Sequence, residues 1–94
     1  MKPDHTALYI TFCLHVRTLE HQFNVSVTSW WRSPKRNAAK GGDAESFHLE
    51  GLGADLVPDE LADKPAIAEA ARALGLQVAD EGDHLHIELD YRAP

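Results

Sequence analysis

One cysteine in 94 residues, Cys13, excludes an internal disulfide, so no disulfide framework holds this chain together. Long apolar runs are missing as well. The longest are a few residues, against the roughly 20 needed to span a bilayer, so no membrane insertion is expected. Positive charge is scarce: 9 Lys and Arg stand against 15 Asp and Glu, a formal net charge of −6. A surface of that sign repels phosphate backbones, which argues against nucleic acid as a partner. The opening residues Met1-Lys2-Pro3-Asp4-His5 carry no basic stretch leading into an apolar core and a cleavage site. Synthesis and retention in the cytoplasm are therefore expected unless another route releases the protein. Internal repeats, low-complexity tracts and linkers are absent, and the length fits one domain spanning 1–94.

What is present is ordinary globular material, 44% apolar and 26% charged. A domain this small buries only about 60% of its unfolded surface, so a bound metal would help to hold it. The six histidines are therefore of interest.

The pattern predicts a helix from a cap at Asp4 or Thr6 to about Phe23, with Leu8, Phe12, Val16, Leu19 and Phe23 on one face. The alternating β-branched and aromatic run Val25 to Trp31 predicts a strand, ended by Ser33-Pro34. A helical turn over Pro34 to Lys40 and a glycine-rich loop to Gly53 follow. Leu52 to Val57 reads as a short strand stopped by Pro58. Pro65 suits the first turn of a second helix ending near Leu74, with Gly75 as its stop and Ile67, Ala70, Ala71 and Leu74 as its apolar face. Leu76 to Ala79 and His84 to Leu89 read as strands joined by the turn Asp80-Glu81-Gly82-Asp83. In the last strand Leu85, Ile87 and Leu89 face one way, and His84, His86 and Glu88 the other. Segregated elements of this kind predict an α+β domain with a small, mostly antiparallel sheet flanked by helices.

Two segments carry candidate chemistry. In Ser46-Phe47-His48-Leu49-Glu50-Gly51-Leu52-Gly53-Ala54-Asp55, Gly51 can supply the turn that brings His48 and Asp55 to one place. In Asp83-His84-Leu85-His86 the two histidines share a strand face. Neutral imidazoles and a carboxylate suit zinc, and three protein ligands with one open position define a catalytic zinc site. Spacing alone leaves the bland alternative standing: a loop histidine, a charge-balancing aspartate and two solvated strand histidines. Cys13, His15 and His21 read as helix packing and surface rather than a second metal set. Trp30 and Trp31 could flank a groove, with one of them turned into the core. No covalent nucleophile is evident.

The motif Ser46-x-His48-x-x-Gly51-x-x-x-Asp55, followed by Asp83-x-x-His86, resembles the zinc D-alanyl-D-alanine carboxypeptidase and L-alanyl-D-glutamate endopeptidase superfamily. That group cleaves peptidoglycan peptides and includes phage endolysins; its fold is shared with the hedgehog signalling domain. Thr28-Ser29-Trp30-Trp31-Arg32-Ser33-Pro34 resembles its upstream Ser-Gly-Tyr-Arg-Ser segment. The resemblance implies one Zn2+ per chain held by His48, Asp55 and His86. It implies Asp83 as general base, Arg32 facing the oxyanion, Ser46 positioning substrate and His84 beside the metal. It also implies action on peptidoglycan stem peptides; a monomer is expected, and a phage origin fits a short wall hydrolase. A second register, Glu81 as base with His84 as ligand, fits the same spacing. A non-catalytic zinc module of the same fold is the alternative function.

Overall fold

A computed structural model describes residues 4–30 and 51–90. Helix α1 spans His5–Gln22. Asp4 caps it: Oδ1 accepts from the amides of Thr6 at 3.0 Å and Ala7 at 3.4 Å, satisfying two donors that the first turn leaves unpaired. Phe12, Val16 and Leu19 recur at three- and four-residue steps and are fully buried, while Leu8 and Phe23 pack against their edge.

Strand β1 is Val25–Ser29 and β2 is Gly53–Pro58. A single 3-10 turn, Leu61–Asp63, leads into helix α2, Lys64–Ala73. Pro65 sits in the first turn of α2, where its missing N–H costs nothing. At the other end Gly75, at φ 87°, takes the left-handed conformation that stops the helix. Ile67, Ala68 and Ala71 are the buried residues of α2. The expected apolar face is thus turned slightly, with Ala68 inside and Ala70 and Leu74 packed at the margin.

Strands β3, Gln77–Asp80, and β4, Leu85–Glu88, form the closing hairpin. Gly82, at φ 90°, makes its turn. Asp80 Oδ1 accepts from the Gly82 amide at 2.9 Å, and Lys64 Nζ reaches both Asp80 Oδ1 and the Gly82 carbonyl at 2.8 Å. The first turn of α2 is thereby tied to the tip of the hairpin.

The sheet is antiparallel throughout, in the order β1-β2-β4-β3. Strand alternation divides it into two faces. Ala54, Leu56, Leu85 and Ile87 are buried in one cluster with residues of both helices. Each fully buried Leu, Ile or Phe contributes about 1.5–3 kcal/mol in such a core. The opposite face carries Asp55, His86 and Glu88. This is the small antiparallel sheet with flanking helices that the pattern predicts. Among the described residues, no helix is long and apolar enough to cross a membrane.

Candidate functional site

Strands β2 and β4 are the central pair of the sheet, and their register places Asp55 directly opposite His86. Both side chains leave the face away from the helices. Their core-facing neighbours hold them there: Ala54 and Leu56 flank Asp55, Leu85 and Ile87 flank His86, and all four are buried. A slip of one residue would turn Asp55 and His86 into the core, so the hydrophobic pattern fixes the site.

His86 Nδ1 lies 3.0 Å from Asp55 Oδ1. An ionised carboxylate only accepts, so Nδ1 carries the hydrogen in this arrangement. The pair is mostly shielded, with side-chain exposures of 14% for Asp55 and 19% for His86. His86 is held above the ordinary imidazole range, first by the hydrogen bond to Asp55, then by the charges of Asp55, Glu88 and Glu81, against an opposing effect of burial. The neighbouring carboxylates therefore favour the protonated form of His86.

That environment, and the donor types, fit a divalent cation. Two ligand atoms on a tetrahedral zinc with arms of about 2.0–2.1 Å stand about 3.3 Å apart. The observed 3.0 Å between Oδ1 and Nδ1 is close to that spacing. Asp55 and His86 would thus be two of the residues holding such a cation, which would replace the hydrogen bond they make here. Among the described residues, no group of three or more His, Cys, Asp or Glu side chains gathers as a full metal set. The third expected ligand, His48, lies outside the described residues, as do Arg32 and Ser46.

Asp83 and His84 are placed differently. Asp83 belongs to the hairpin turn and its side chain is 91% exposed. Its Oδ1 is 2.7 Å from His84 Nδ1. That hydrogen bond, with the charge of His84, holds the Asp83 carboxyl below its usual range. His84 thus engages Asp83, while His86 engages Asp55. In the second register, with His84 as ligand, it would be His84 rather than His86 that met Asp55.

Glu88 was missed as a candidate. It follows His86 by two residues on the same face of β4, and its Oε1 lies 3.6 Å from His86 Nε2. The signal was in the sequence: the alternation that groups His84 and His86 includes Glu88.

Trp30 is part of the core margin. Its ring meets Phe12 edge-on at 5.6 Å and Tyr9 at 6.4 Å, and its Nε1 donates to the Gly51 carbonyl at 2.8 Å. The bond anchors Gly51, whose φ of 75° makes the turn into β2 just before Asp55. Trp31 lies outside the described residues. A separate cavity of about 240 Å³ opens between α2 and the β3–β4 hairpin, beside Ala68, Val78 and Leu85. It lies on the helix side of the sheet, away from Asp55 and His86.

Comparison with known proteins gives one family. The model described as Peptidase M15 matches residues 3–88. No curated protein and no solved structure gives a significant match.

Proposed function

The chain belongs to the peptidase M15 family, the zinc D-alanyl-D-alanine carboxypeptidases, and on that premise we propose that it is a zinc metallopeptidase hydrolysing peptide bonds in peptidoglycan stem peptides. The observation that carries this reading is the Asp55–His86 pair, two donors of the right type meeting across the central strands at 3.0 Å.

Asp55 through Oδ1 and His86 through Nδ1 would hold the metal, with His48 as the third ligand. Zinc, when bound, supplies a water acidified toward a pKa of about 7 and a positive pole for the scissile carbonyl. Asp83 accepts the attacking water's proton on a carboxylate oxygen and passes it to the leaving amine nitrogen as the C–N bond breaks. His84, bonded to Asp83, orients that carboxylate. Arg32, which keeps its charge at every relevant pH, would stabilise the oxygen on which negative charge develops. Ser46 positions the substrate.

The retained Asp83 and the expected Arg32 favour catalysis over a purely structural zinc module, which has no use for a base or an oxyanion partner. The test is mass spectrometry of muropeptides incubated with zinc-loaded protein. Hydrolysed stem peptides, lost on chelation and restored by zinc, are expected. Intact substrates with the protein fully zinc-loaded would favour the non-catalytic module instead.

A further inference from the structure

His86 stands between two carboxylates. Its Nδ1 is 3.0 Å from Asp55 Oδ1, and its Nε2 is 3.6 Å from Glu88 Oε1. Asp55 comes from the neighbouring strand, whereas Glu88 comes from β4 itself, two residues on and therefore on the same face. The Glu88 side chain is only 26% exposed, so it lies along the sheet rather than out in bulk water.

A neutral imidazole lends a lone pair from one nitrogen and must carry its proton on the other. With Nδ1 turned toward Asp55, the protonated atom in a metal-loaded site is Nε2. A histidine ligand whose outer N–H meets a carboxylate is fixed in tautomer and ring orientation, and its metal-binding nitrogen becomes more basic. Resting on the zinc site proposed above, we infer that Glu88 is a positioning residue, accepting the Nε2–H of His86 so that Nδ1 stays beside Asp55. The 3.6 Å separation is longer than a hydrogen bond. Glu88 is therefore required to rotate in the metal-loaded protein until the separation reaches the usual value of about 3.0 Å. Glu88 then acts through His86 and touches neither metal nor substrate.

The test compares wild type, Glu88→Gln and Glu88→Ala, each confirmed as folded by circular dichroism. Zinc affinity is measured by competition with a chelator. Glu88→Gln keeps an acceptor oxygen and should bind zinc within about threefold of wild type, while Glu88→Ala should bind about 10–100-fold more weakly. At saturating zinc, long-range proton–nitrogen NMR should show a protonated His86 Nε2 with a slowly exchanging hydrogen in wild type and Glu88→Gln. The same hydrogen should broaden by exchange in Glu88→Ala. Unchanged affinity and an unchanged Nε2–H signal in Glu88→Ala would overturn the inference and leave the zinc site standing, as would Glu88→Gln failing as badly as Glu88→Ala. A wild-type protein that binds no zinc would overturn the metal reading itself, and this inference with it.

Discussion

Asp55 and His86 face each other across β2 and β4, with Oδ1 and Nδ1 3.0 Å apart on the side of the sheet opposite the helices. A strand register set by buried Ala54, Leu56, Leu85 and Ile87 thus delivers two metal-type donors to one point.

In the metal-free protein the pair makes stability depend on pH. His86 is raised above its unfolded value of about 6.5, mainly by its bond to Asp55. Its contribution is fully present below about pH 6.5 and is lost as pH rises through the higher folded value. Thermal unfolding of the zinc-free protein should show a Tm that declines across this range. His86→Gln should flatten that decline, and an unchanged slope would show that the pair is not its source.

In the proposed site zinc would compete with the Nδ1 proton, so zinc affinity should rise with pH through the same window. Chelator competition at a series of pH values measures it. An affinity independent of pH would mean that His86 is not a ligand.

Asp83 carries the proton transfers in the proposed reaction but lies in an exposed turn away from the core. Asp83→Ala should keep its fold and its zinc while turnover falls by about 10²–10⁴-fold, the usual contribution of a general base. Full activity in a zinc-loaded Asp83→Ala protein would remove Asp83 from that role.

Asp80 has a structural task. Its carboxyl is lowered first by the hydrogen bond from Lys64 and then by the Gly82 amide. A lowered carboxylate stabilises the fold above its unfolded value of about 4 and loses that contribution as pH falls. Asp80→Asn should blunt the acid-side decline of Tm while leaving zinc affinity unchanged, because the tie between α2 and the hairpin lies on the helix side of the sheet.

Trp30→Phe separates a core role from a groove role. It removes the Nε1 donor to the Gly51 carbonyl and should destabilise by about 1–3 kcal/mol in denaturant unfolding. A changed KM with stability intact would instead place Trp30 at the substrate.

Much of the fold was legible because local chemistry and packing agree. Asp4 caps, Pro65 starts, Gly75 and Gly82 turn, and Phe12, Val16 and Leu19 keep helical spacing. The strict alternation of β4 forecast which of its residues face the core. The turn of α2 that buries Ala68 in place of Ala70 was not legible, since both are small and the choice depends on how the helix meets the sheet. The pairing of Asp55 with His86 also lies beyond periodicity, because residues 31 positions apart meet only through strand register. Glu88 was visible on the right face, but a lone glutamate on a strand looks like a solvated charge until His86 is seen beside it. The engagement of Asp83 with His84 depends on turn geometry that alternation does not encode.

The most direct test of the account is the zinc content of protein purified without chelators, measured by elemental analysis for wild type, Asp55→Ala and His86→Ala. One zinc per chain in wild type and close to none in either variant is the predicted result. Zinc retained at full stoichiometry by both folded variants, or absent from wild type, would contradict it.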